Sequence, residues 1–131
     1  MMDIRNMLMF TLAALLLSAC GATGKGVGLF QANPAEQKFS SGVKSYEEGD
    51  YKTSMESLQS ALDMGVSSKE DQVTAYKYLA FIHCVSGREK QCRDEFKKAF
   101  EIDPNFDLKP AEEGHPVWGP VFRSVKSKPA K

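Results

Sequence analysis

The stretch from Tyr76 to Pro104, YKYLAFIHCVSGREKQCRDEFKKAFEIDP, decides how the chain folds. Its apolar residues do not alternate, as those of a half-buried strand would; they recur at three- and four-residue steps that line one side of a helix. Val73, Tyr76, Leu79 and Ala80 mark one such run, and Cys92, Phe96, Ala99 and Phe100 mark another. Gly87 interrupts the pattern between them. Asp103-Pro104 stops the second run, because proline has no N–H to donate and restricts the residue before it. Two amphipathic helices joined at a glycine predict an antiparallel helical hairpin.

The same pattern precedes it. Asn33-Pro34 supplies an N-cap and a proline at the first helical position, with Glu36 in the first turn. Phe39, Val43 and Tyr46 then follow on one face, until Gly49-Asp50 breaks the run. Asp50 is placed to cap a second helix carrying Tyr51, Met55, Leu58 and Leu62, which Gly65 ends. Ser67 and Glu70 have the spacing of a capping box ahead of the third helix. Strand signals are absent throughout, so the expected class is all-α.

Self-comparison aligns Gly49-Asp50-Tyr51 with Gly87-Arg88-Glu89, a spacing of 38 residues. Gly42 then matches Ala80, Ser54 matches Cys92, Leu58 matches Phe96 and Ala61 matches Ala99. Small residues at the first two pairs let the helices of each hairpin approach closely. The spacing and residue types resemble the tetratricopeptide repeat, a helix–turn–helix unit of about 34 residues. The second unit fits better; in the first, Lys38 and Ser41 stand where apolar residues are expected. The additional residues fall in the loop Met64–Asp71. The resemblance covers residues 34–104 and implies two stacked hairpins.

An isolated pair of repeats leaves apolar ends that need a cap. Residues 105–131 can supply one: Val117, Val121, Phe122 and Val125 recur at helical spacing, with Arg123 and Lys126 turned away. Pro116 and Pro120 are tolerable only in a first helical turn. The expectation is an extended FDLKPAEEGHP segment crossing the stack, a short capping helix, and a basic tail ending at Lys131.

The head of the chain is different material. Residues 1–20 hold four of the six Met and only two charges, Asp3 and Arg5. The apolar run from Met7 to Leu17 would rise about 16 Å as helix, against a hydrocarbon core of about 30 Å, so it is too short to span. It fits a secretory signal peptide, residues 1–19. Leu17-Ser18-Ala19-Cys20 resembles the lipobox of bacterial lipoproteins. The resemblance implies cleavage before Cys20 and acylation of that residue with fatty acids such as palmitate, an effectively permanent anchor. Gly21 after the Cys, rather than Asp, favours the outer membrane, facing the periplasm, over retention at the inner one. Residues 20–33, rich in Gly, read as a tether with a reach of about 20 Å.

Formal charge cancels, with 17 Lys and Arg against 17 Asp and Glu. That argues against a nucleic-acid partner, which calls for a basic excess. No nucleophile elbow, phosphate-binding glycine loop or metalloprotease motif is present, so neither an enzyme nor a cofactor is expected. Cys84 and Cys92 bracket the turn at Gly87. After export to an oxidising compartment they would pair across the hairpin, and the alternative is two small buried residues at a close helix contact. His83 adjoins Cys84, but neighbouring helical residues point about 100° apart and a zinc site wants four ligands, so no metal is expected. His115, in Glu112-Glu113-Gly114-His115-Pro116, reads as part of a solvated acidic turn rather than an acid–base centre. Trp118 reads as a plug closing the stack, or else as a rigid contact for a partner.

In tetratricopeptide proteins the first helices of successive repeats line a peptide-holding groove. The matching positions here carry Glu36, Phe39, Val43 and Tyr46, then Thr74, Lys77 and Phe81. Lys77 lacks the Asn companions of the family's carboxylate clamp, so an apolar or aromatic partner segment is the better match. Phe39, Val43, Tyr46, Lys77, Phe81, His115 and Trp118 are thus the candidate partner-binding residues. The combination of lipobox, tether, two repeats, paired Cys and the closing HPVWGP is similar to small lipoproteins associated with type VI secretion, in particular the TssQ family. That similarity implies an accessory scaffold on the periplasmic side of the secretion apparatus rather than a catalyst, with a protein of the cell envelope as the expected partner. The competing reading is a lipoprotein that binds cell-wall glycan or a small ligand through Trp118, His115 and Glu112.

Overall fold

A computed structural model describes residues 33–128; the signal segment, Cys20, the tether and the end of the basic tail lie outside the described residues. Among the described residues six helices follow one another: α1 Pro34–Glu47, α2 Tyr51–Met64, α3 Lys69–Val85, α4 Glu89–Ile102, the single turn α5 Pro110–Glu113, and α6 Trp118–Lys126. Among the described residues there is no strand, and no helix is long and apolar enough to cross a membrane. The chain is all-α, with α1 packed on α2 and α3 on α4 as two hairpins.

The two hairpins turn in the same way. After α1, Gly49 N–H donates to the Tyr46 carbonyl (3.0 Å) and Asp50 N–H to that of Ser45 (2.9 Å). After α3, 38 residues on, Gly87 N–H donates to Cys84 (3.1 Å) and Arg88 N–H to His83 (2.8 Å). Both turns need a left-handed residue, and both have glycine there, Gly49 at φ 80° and Gly87 at φ 76°. The sequence repeat is therefore a repeat of hydrogen bonds.

Within each hairpin the small residues do what their size allows. A Cβ placed on Gly42 would lie 2.6 Å from Leu58 Cγ, so only glycine admits this approach of α1 to α2. Ser54 Oγ donates to the Gly42 carbonyl at 2.7 Å, a buried bond between the two helices. The equivalent pair, Ala80 and Cys92, is fully buried, and Cys92 lies at disulfide distance from Cys84, their Cα atoms 5.1 Å apart. The first hairpin is pinned by a hydrogen bond where the second is pinned by sulfur.

The helix ends follow ordinary capping chemistry, with one shift from expectation. Asn33 Oδ1 accepts from Ala35 N–H (3.1 Å) and Asp50 Oδ1 from Thr53 N–H (3.1 Å). The N-cap of α3, however, is Ser68, whose Oγ accepts from Asp71 N–H at 3.2 Å. Ser67 is engaged elsewhere: its N–H and Oγ both donate to the Glu36 carboxylate, at 3.2 and 2.9 Å. A long-range bond to α1 thus displaces the N-cap by one residue, and the reciprocal bond of a capping box does not form. The same loop buries Val66 against Ala35 and Ala61.

Residues 103–128 close the stack. Phe106, Leu108, Val121, Phe122 and Val125 join the core formed by α3 and α4. Phe122 is fully buried, its ring 5.2 Å from Phe96 and 5.5 Å from Phe100. The preceding segment is not wholly extended, as expected from sequence. Pro110 starts the turn α5, where Glu112 Oε2 accepts from Lys109 N–H (3.0 Å) and so begins a helix within it. Pro120 sits in the first turn of α6, where no backbone bond is lost.

Gly42→Ala should lower stability by about 1 kcal/mol, since overpacking costs roughly 1–3 and the gain in helix propensity returns about 1. In a Leu58→Ala background the same change should become stabilising. Urea unfolding of the four chains of this cycle reads the reversal; additive effects would refute the steric account. Reducing the Cys84–Cys92 bond, or replacing both with Ser, should remove about 2.5 kcal/mol, from a nine-residue loop in the chain-entropy model. An unchanged denaturation midpoint under reductant would contradict it.

Candidate functional site

The aromatic side chains form a continuous row across the hairpins. Tyr51, at the start of α2, lies 5.4 Å from Tyr46 of α1 between ring centroids. Tyr46 lies 4.4 Å from Tyr78 of α3, and Tyr78 meets Phe81 edge-on at 6.1 Å. Phe81 stacks on Trp118 at 4.1 Å, and Trp118 stacks on His115 at 3.4 Å. The row begins exposed, with Tyr51 at 40%, and dives into the core, with Phe81 at 1%. Tyr46 and Tyr78, half-buried, are the transition.

Beside this row lies a buried ion pair. Lys77 Nζ donates to Glu112 Oε1 at 2.7 Å, with the two side chains only 9% and 19% exposed. Its ammonium also sits 4.8 Å from the Tyr78 ring centroid and 5.8 Å from that of Phe81, within range of cation–π attraction. Glu112 spends its other carboxylate oxygen on Lys109 N–H, and its backbone carbonyl accepts from Trp118 Nε1 at 2.8 Å. One residue of α5 thus holds α3, its own helix start and the indole. The pair forms one wall of a groove of about 670 Å³ of mixed lining, with Glu70, Thr74, Asn105 and Asp107 beside Val73 and Ile102.

This geometry sorts the candidate residues. Phe81 is core and presents no surface, so it is removed from the contact set. Lys77 lines that groove but is neutralised by Glu112 and almost fully buried. Trp118 has Phe81 on one side of its ring and His115 on the other, which makes it a plug and leaves neither face free. His115 fixes local structure: Nδ1 accepts from Val117 N–H at 3.2 Å while the ring covers the indole. Phe39 and Val43 pack half-buried against Leu58, Ala75 and Leu79. Tyr46 alone of the expected set lies in the half-exposed part of the row, next to Tyr51 and Tyr78.

Tyr78 was not legible as a site residue. Periodicity selects Tyr76, and Tyr78 stands about 200° further round the helix, a position with no aromatic counterpart in the first hairpin. Only the packing of α1 on α3 brings Tyr46 over it. Glu112 as partner of Lys77, 35 residues away, likewise carries no local signal.

Electrostatics follow burial. Desolvation, reinforced by the neighbouring Tyr51, Tyr78 and Glu112, pushes the Tyr46 hydroxyl up to about 12. Tyr78 is raised too, by burial first and then by Glu112 and Glu47. At neutral pH both are hydrogen-bonding phenols. His83 is lowered by burial and by Arg88 and Lys98, and its Nδ1 accepts from Arg88 Nε at 2.8 Å. Arg88 also reaches Met55 Sδ of α2 at 3.7 Å, so this arginine, held by His83, links the two hairpins. Among the described residues no group of three or more His, Cys, Asp or Glu is arranged to hold a metal ion.

Comparison with known proteins finds no matching family model, no matching curated protein and no matching solved structure.

Because the folded state holds the Tyr46 proton more tightly than an ordinary phenol of 10.0 does, its contribution to stability is complete below that value. It is lost as pH rises toward about 12. Phenolate absorbance should therefore show a late-titrating step that Tyr46→Phe removes. An unchanged titration curve in that variant would refute the assignment.

Proposed function

We propose that this chain is a membrane-anchored, periplasmic protein-interaction adaptor: a lipoprotein of the tetratricopeptide type serving an envelope complex. The observation that carries the reading is the half-exposed row Tyr51–Tyr46–Tyr78 on a helical stack. Tyrosines offer large amphipathic contact area at small entropic cost, which is why they are enriched where proteins meet. The stack beneath them is held by disulfide-distance cysteines and a plugged end, so little ordering would accompany binding.

The tetratricopeptide reading rests on the 38-residue repeat, the small residues at Gly42/Ser54 and Ala80/Cys92, and the twice-used turn geometry. The anchor rests on Leu17-Ser18-Ala19-Cys20. The outer membrane is favoured by Gly21, and the similarity to the TssQ family makes type VI secretion the first system to test. Partner contact is assigned to Tyr46, Tyr51 and Tyr78; Phe81 and Trp118 support them from below. The glycan-binding alternative loses its original contact set, because Trp118 is covered on both faces and Glu112 is committed to Lys77.

Growth with a clickable palmitate analogue should label the wild-type chain and leave Cys20→Ser unlabelled; equal labelling would remove the anchor from the model. For the contact face, full-length protein should be purified from crosslinked envelopes as wild type and as Tyr78→Lys. Envelope proteins recovered with the first should be lost with the second, while helicity is unchanged. Recovery of the same proteins with both, or sedimentation of the wild type alone with purified peptidoglycan, would overturn the adaptor reading.

A further inference from the structure

A second groove lies between α4 and α6, and no residue of the tyrosine row lines it. It has a volume of about 620 Å³, within the roughly 300–1,000 Å³ typical of ligand clefts. Its floor is apolar, formed by Phe100, Pro104 and Val125. Its rim carries four cations, Arg93 and Lys97 from α4 and Lys126 and Lys128 from the end of α6, against a single carboxylate, Glu101.

The acids that balance these cations stand outside the groove. Arg93 pairs with Glu89 (2.6 Å), Lys97 with Asp94 (3.7 Å) and Lys126 with Asp107 (2.6 Å). The pairs of Lys97 and Lys126 are solvent-exposed and therefore weak. Their long side chains can turn to a ligand without leaving a buried charge behind. Arg93 is fixed more firmly: its Nη1 donates to Ser124 Oγ (2.9 Å), and that hydroxyl donates to the Val121 carbonyl (2.8 Å). This chain of bonds joins α4 to α6 and sets the guanidinium into the wall.

We infer that this groove is a docking site for an acidic, amphipathic segment of a partner protein. Apolar side chains of the segment would cover Phe100 and Pro104, with the nearly buried Val125 closing the floor between them, and its carboxylates would meet Lys97, Lys126 and Lys128 at the rim. An apolar floor beneath a cationic rim matches a segment that carries apolar and acidic side chains together. The site is separate from the tyrosine face, so an adaptor holding one partner there has room for another here.

The test is selection of random displayed peptides of about 12 residues on the full-length protein in detergent, a length suited to groove recognition. Enriched peptides should combine Asp or Glu with Leu, Ile or Phe. Their affinity should fall roughly tenfold for the exposed double variant Lys97→Glu/Lys128→Glu, and less for Lys97→Gln/Lys128→Gln. Tyr78→Lys should leave it unchanged, which separates this site from the one above. Circular dichroism of the double variant confirms that the fold survives. Peptides without acidic bias, affinity indifferent to charge reversal, or no enrichment at all would overturn the proposal. So would charge-sensitive binding of monomeric dihexanoyl-phosphatidylglycerol in place of any peptide, since that assigns the groove to lipid.

Discussion

Phe81 is the side chain on which the three parts of the domain converge. It touches Tyr46 of the first hairpin, Phe96 of its own hairpin, and Trp118 of the C-terminal cap. A ring of that size, left in water at the end of a two-hairpin stack, would expose apolar area worth about 2–3 kcal/mol. Burying it requires α1 to lie across α3, α4 to pair with α3, and the cap to return over both. The indole that covers it is held in turn by Glu112 and His115. The architecture is a set of answers to one exposed aromatic.

The ion pair of Lys77 and Glu112 makes sense in that setting. Burying a lone ammonium would be prohibitive, so the cation is admitted only with a carboxylate and two aromatic faces around it. Such a pair adds little net stability over an apolar substitute, but it does specify geometry. It selects one register of α5 against α3, and α5 fixes the entry of α6. Gly119 belongs to the same constraint, because a Cβ there would collide with the Glu113 carbonyl. Polar chemistry orients the cap, and apolar burial holds it.

This arrangement also explains why the functional reading moved. The residues expected to contact a partner are mostly aromatic and stand on α1, α3 and the segment that follows the second hairpin. Most are consumed by closure: Phe81 and Trp118 by stacking, Lys77 by pairing, Phe39 and Val43 by packing between the hairpins. What closure leaves over is the tyrosine edge and the groove between α4 and α6. With only two hairpins, the cap covers apolar surface of α3 and α4 that would otherwise stand open.

Local chemistry was enough to read the helices, because their causes are local. Apolar steps of three and four, Asn33 and Asp50 at N-caps, Gly49 and Gly87 at the turns, and the 38-residue echo between the hairpins are all written in short windows. The Ser67–Glu70 box failed by one residue because Glu36, 31 positions away, binds Ser67. The helical turn α5 was missed because Glu112 begins it while answering a lysine on α3. Those are long-range competitions, and no window of sequence contains both competitors. The chain by itself determined its class, its repeat and its turns. Only the tertiary structure decided which aromatic residues become core and which remain surface, because that depends on what the cap covers when it folds back.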